Sequence, residues 1–105
     1  MAGGDRRTVP LVCVTIVAEA VVEQRLLRDL EAAGVRGWGT TPGHGSGLGF
    51  VGDSRWEGAT VRLETLVPPD LADRVLDLLA RDYFPLFAVV AWTSEVQVVR
   101  PEKFS

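Results

Sequence analysis

Eight of the chain's eleven glycines fall between Gly37 and Gly58, in the run GWGTTPGHGSGLGFVGDSRWEG. Glycine-rich backbone lets N–H groups converge on an anion with no side chain in the way. Thr40, Thr41 and Ser46 add hydroxyls to that run, and Arg55 adds a cation suited to a phosphate. His44 is the one histidine in the sequence and lies in the middle of these residues. Trp38 and Trp56 flank the run, with faces suited either to stacking on a flat ring or to burial under a hairpin. The chemistry to expect is capture of a small anion by a long connection, against the plainer reading of a flexible loop.

Other chemistries find little support. No helix follows Gly37-x-Gly39, so the run is not a dinucleotide fingerprint, and no Gly-Lys-Ser/Thr marks a Walker loop. Cys13, the single cysteine, lies in an apolar run and reads as a buried, inert thiol. One histidine and one distant cysteine do not make a zinc site, so no metal is expected. A net charge of −3 with no basic stripe argues against nucleic acid as a partner. Arg6, Arg7 and the run Val9–Ala18, ending in Ala18-Glu19-Ala20, loosely resemble a secretory leader. The run is rich in β-branched valine, which favours a strand, and a cytoplasmic protein is expected. No stretch has the apolar length of a membrane span.

The 105 residues, 47% of them hydrophobic, suit one domain with one core over 1–105, with a flexible tail at 1–8. Val9–Val17 reads as a first strand. A helix is predicted over Glu19–Ala33, where Val22, Leu26, Leu27, Leu30 and Ala33 recur at helical spacing, with Gly34 just past its end. Val35–Thr41 reads as a second strand entering the loop, set at about 41–57. Ala59–Val67 alternates as a third strand. Pro68-Pro69 opens a second helix, with Leu71, Val75, Leu78 and Leu79 as its buried stripe and an end before Pro85. Phe87–Thr93 is a fourth strand, which Glu95–Arg100 either continues or follows as a short fifth. This order predicts an α+β, ferredoxin-like βαββαβ fold with an antiparallel sheet and both helices on one face.

The first and fourth strands are apolar on both faces. Two helices cover only one, and burial of a large side chain is worth about 1.5–3 kcal/mol, so the second face calls for another copy of the chain. Arg62 and Glu64 are expected to pair on that face.

The strand order, the long connection and the doubly apolar sheet resemble the PII-like signalling proteins. Thr41-Pro42-Gly43-His44-Gly45-Ser46 resembles the Thr-Gly-Gly-Lys-Gly-Ser run at the loop base of the SbtB-type and carboxysome-associated branch. Gly34-Val35-Arg36-Gly37-Trp38 is similar to that branch's Gly-Ala-x-Gly-Tyr, and the ending Val98–Phe104 is similar to that of small PII-like chains. The resemblance implies a homotrimer with a cleft at each subunit boundary. It also implies an adenine nucleotide in each cleft, bicarbonate as a further ligand, and a T-loop that engages a membrane transporter or an enzyme of inorganic-carbon metabolism. Gly43, His44, Gly45 and Ser46 then fall at the phosphates or a small anion, with Thr40 and Thr41 opening that cradle. Arg100 takes the place of a phosphate-binding arginine.

The chain also departs from the family. His44 stands where the branch has a lysine, which lowers the fixed positive charge near neutral pH. Arg81-Asp82-Tyr83-Phe84-Pro85 has no glycine where classical members have a basic, glycine-containing loop, and the modifiable tyrosine of the loop tip is missing. ATP with 2-oxoglutarate is therefore disfavoured, and AMP, ADP or cyclic AMP preferred. The expected protein is a regulator with no covalent cofactor, not an enzyme. The alternatives are an ACT- or CutA-like ligand-binding or scaffold trimer and an acylphosphatase-like enzyme. The last resembles a family that positions water with an asparagine, and this chain has none.

Overall fold

A computed structural model describes residues 7–46 and 57–99. The element order is β1 (Val9–Glu19), a 3-10 turn (Ala20–Val22), α1 (Glu23–Ala33), β2 (Gly39–Ser46), β3 (Glu57–Val67), α2 (Pro69–Asp82) and β4 (Val89–Val98). The sheet order is β2-β3-β1-β4, antiparallel throughout. It is the expected ferredoxin-like βαββαβ arrangement.

β1 is a central strand because both its faces are apolar. Val14, Ile16 and Ala18 on β1 join Leu63 and Val67 on β3 beneath Leu26 and Leu30 of α1 and Val75 and Leu79 of α2. The two helices stop for local reasons. Gly34 adopts φ 114°, a left-handed position that favours glycine, while Val35 N–H reaches back to the Leu30 carbonyl at 3.0 Å. α2 opens on Pro69 with Asp70 in its first turn, and Phe84 N–H closes it on the Leu79 carbonyl at 2.8 Å.

Three boundaries differ from the sequence expectation. Glu19 stays in β1: its N–H donates to the Ala88 carbonyl at 3.1 Å, and its carboxylate accepts from Ala88 N–H at 2.6 Å. The helix therefore begins only after the 3-10 turn. β4 begins at Val89 instead of Phe87 and runs unbroken to Val98, the continuous one of the two expected forms, because β1 supplies a pairing partner along that whole length. The largest correction concerns the glycine run. The second strand was expected over Val35–Thr41, with loop from about 41, yet β2 occupies Gly39–Ser46. Pairing with β3 satisfies the backbone there, from Gly39 opposite Glu64 to Ser46 opposite Glu57. Of the expected loop, residues 47–56 lie outside the described residues.

The sheet face turned away from the helices carries Cys13, Thr15 and Val17 of β1 between Arg62, Glu64 and Leu66 of β3 and Val90 and Trp92 of β4. Arg62 and Glu64 do pair, at 3.5 Å, and the Arg62 guanidinium also lies 5.4 Å from the Trp92 ring centre. Thr15 Oγ1 donates to Glu64 Oε2 at 3.3 Å.

Candidate functional site

Antiparallel pairing decides where the loop-base residues point. Side chains alternate along a strand, so each β2 residue shares a face with its β3 partner. Thr41, Gly43 and Gly45 lie opposite Arg62, Thr60 and Gly58, on the helix-free face. Thr40, Pro42, His44 and Ser46 point to the helix side. The six proposed ligands of β2 therefore share one strand but divide between two faces. Arg55 and Arg100 lie outside the described residues.

β2 is an edge strand, and every second residue of such a strand turns its N–H and C=O away from its partner. Glycine at 39, 43 and 45 leaves the helix-free side of that edge bare except at Thr41. At Gly43 the close approach is real, since a Cβ would sit 3.0 Å from Thr60 Oγ1. The result is a strip of accessible backbone that suits an anion or a flat ligand lying along it.

At the foot of this strip a largely apolar cleft of about 390 Å³ is lined by Cys13, Trp38, Gly39, Glu64, Thr65 and Leu66. Thr65 Oγ1 donates to the Gly37 carbonyl and so pins the backbone just before Trp38. Trp38 is 36% exposed, with surface still available to a ligand. Gly43 stands four strand residues beyond Gly39, about 13 Å along β2. An extended molecule with a flat apolar end and an anionic end fits that layout. Trp38 supplies the flat wall of that layout, and Glu64 places a carboxylate in the cleft lining.

Cys13, expected to be buried, is only half-buried and forms part of the cleft wall. Glu64, Leu66 and Cys13 were not singled out as site residues. They reach the cleft from β3 and β1, and the period-two pattern of β3 was the signal that Glu64 and Leu66 share a face. At the other end of β2, His44 Nε2 lies 3.8 Å from Glu57 Oε2, both side chains well exposed. No cluster of three or more potential metal ligands occurs among the described residues. No helix among them is long and apolar enough to cross a membrane.

Such a chain is a ferredoxin-like α+β unit with a largely apolar cleft near one sheet edge. Within that class, the nitrogen regulatory protein P-II family matches residues 11–103, and the chain belongs to that family. It is similar to a PII-like signalling protein from Thermus thermophilus, with 42% identity over 94% of this chain and 99% of that one, and a TM-score of 0.80. It is also similar to CPII from Thiomonas intermedia bound to ADP, AMP and acetate. There the identity is 26% over 93% of this chain and 97% of that one, with a TM-score of 0.78. A further structure of that CPII, bound to ADP, AMP and bicarbonate, matches at 26% identity over 93% and 100% of the two chains, with a TM-score of 0.74. No curated protein sequence matches the chain.

Proposed function

We propose that this chain is a regulator that binds an adenine nucleotide in clefts between the subunits of a homotrimer. The observation that carries the reading is the apolar cleft beside Trp38, at the foot of a glycine-bared edge strand, in a chain of the P-II family. The adenine ring stacks on Trp38, and the phosphates run along β2 toward Gly43, His44, Gly45 and Ser46, past Thr40 and Thr41. Arg55 and Arg100 are further phosphate ligands on sequence position alone. The CPII relative bound to ADP, AMP and bicarbonate supports an adenylate, with bicarbonate as a second ligand. Signalling runs through the T-loop, about 41–57, to a transporter or an enzyme of inorganic-carbon metabolism, in the manner of the SbtB-type branch. The protein acts in the cytoplasm, as one domain over 1–105, without catalysis of its own.

Calorimetric titration with AMP, ADP, ATP and cyclic AMP, with and without bicarbonate, tests this reading. Micromolar binding of one adenylate is expected, and no response to any of them overturns it. The apolar helix-free sheet face also favours an ACT- or CutA-like scaffold, whose assembly needs no nucleotide. A trimer that forms but ignores every adenylate selects that second reading.

A further inference from the structure

His44 and Glu57 are diagonal neighbours at the end of the β2–β3 ladder, His44 opposite Ala59 and Glu57 opposite Ser46, on the helix side of the sheet, with Nε2 and Oε2 3.8 Å apart. The two side chains are 70% and 69% exposed, so protons and ions reach them freely. β3 is the strand paired with β2. Its other charged residues, Arg62 and Glu64, lie on the opposite face, so among the described residues Glu57 is the charged group that meets the imidazole. Histidine is the side chain whose charge ordinarily changes between pH 5 and 8. When protonated, the imidazolium has a carboxylate waiting; when neutral, it leaves the negative charge of that carboxylate unanswered.

From this geometry we infer that the pair is a proton-operated gate on the nucleotide site, an inference that rests on the reading proposed above. Protonated His44 turns from Glu57 on the helix side to phosphates lying along the open edge of β2, which both faces of an edge strand can reach, so that binding takes up a proton. Glu57 is the built-in competitor: it holds the imidazolium in the empty site and repels phosphate when the imidazole is neutral. The exposed pair is weak enough for a phosphate, carrying more charge than one carboxylate, to displace it. A lysine in place of His44 would hold its charge throughout this range and could not report pH.

ADP titrations near pH 6 and pH 8 test the gate with the intact chain, His44→Gln and Glu57→Gln. Buffers of different ionisation heat near pH 7 measure the protons taken up. The intact chain should bind ADP about twofold to fivefold more tightly at the lower pH. It should also show net proton uptake, and His44→Gln should lose both effects. The terminal phosphate of ADP titrates near pH 6 and gains charge as pH rises, so its own contribution runs the opposite way. Glu57→Gln should tighten binding at both pH values. Both substitutions are at exposed positions and leave the fold intact. An identical pH response in the intact chain and His44→Gln overturns the gate while the nucleotide reading stands, and so does an unchanged affinity in Glu57→Gln. Absence of ADP binding at both pH values overturns the gate, and the nucleotide reading falls with it only when AMP, ATP and cyclic AMP are also without effect.

Discussion

The Tyr83 hydroxyl donates a hydrogen bond to the Asp29 carboxylate and ties the residue that ends α2 to the outer side of α1. Arg25 completes the junction, 3.8 Å from Asp29 and 4.9 Å from the centre of the Tyr83 ring. Because Asp29 is partly exposed and can be rehydrated, Tyr83→Phe should cost about 1–2 kcal/mol, read from urea denaturation.

The same bond fixes a pH dependence. Burial first, then the hydrogen bond and charge of Asp29, push ionisation of Tyr83 well above the ordinary tyrosine value of 10.0. Below that value both folded and unfolded chains keep the proton, and the contribution to stability is complete. Above it the unfolded chain releases its proton while the folded chain holds on, so stability falls as pH rises. Tyr83 is the only tyrosine in the sequence, so the absorbance change on ionisation reports it alone. The denaturation midpoint should decline above about pH 10, and Tyr83→Phe should flatten that decline.

Gly43→Val should separate site from fold. The added Cβ meets Thr60 Oγ1 at 3.0 Å, a side-chain atom that can move by a few tenths of an ångström, and valine suits a strand. The melting temperature should stay close to that of the original chain. Because the side chain projects over the bared strip of β2, ADP affinity should fall by about tenfold or more, the loss expected when a required polar contact is blocked. Full affinity measured by calorimetry would place the phosphates away from Gly43.

Trp38→Ala removes the flat wall of the cleft. Stacking of a base on an aromatic ring is worth about 1–3 kcal/mol, so nucleotide affinity should drop by that amount, while Trp38→Phe should recover most of it. Tryptophan fluorescence on titration gives a second readout. An unchanged Kd for Trp38→Ala would show that the ring does not touch the base.

How much of this was legible from residues alone follows from how local each signal is. β1 announced itself as a strand apolar on both faces because Val12, Val14 and Ile16 alternate with Leu11, Cys13 and Val17. α2 was bracketed by Pro69 and Pro85. The second strand is expected over Val35–Thr41 but lies at Gly39–Ser46, because glycine argued for loop although Gly43 and Gly45 recur with the period of a strand. Half of the cleft was hidden for a different reason. Trp38 lay next to the glycine run and was named, but Cys13 and Glu64 come from two other strands. Only the β1–β3 register brings their side chains beside it. The His44–Glu57 pair is likewise a product of register across the connection.

The helix-free face supplies the last prediction. Trp92 and Val90 are 43% and 39% exposed there, while Val89 and Ala91 on the other face of the strand pack against the core. The partly buried Val17 and Leu66 extend the apolar surface across β1 and β3, and the Arg62–Glu64 pair is already neutralised within it. A surface of this kind gains more from contact with a copy of itself than from water, at about 25 cal/mol for each Å² of apolar area removed. Light scattering at micromolar concentration should therefore give three times the 11.4 kDa mass of the chain. Val90→Asp places an unpaired carboxylate in the middle of the contact, a burial that costs far more than it returns. That variant should run as a monomer with its helices intact by circular dichroism. It should also lose nucleotide affinity along with the trimer, because the cleft would no longer have a neighbouring subunit. A monomeric parent chain would refute the argument from the two apolar faces, and a monomeric variant with full affinity would place the whole site within one subunit.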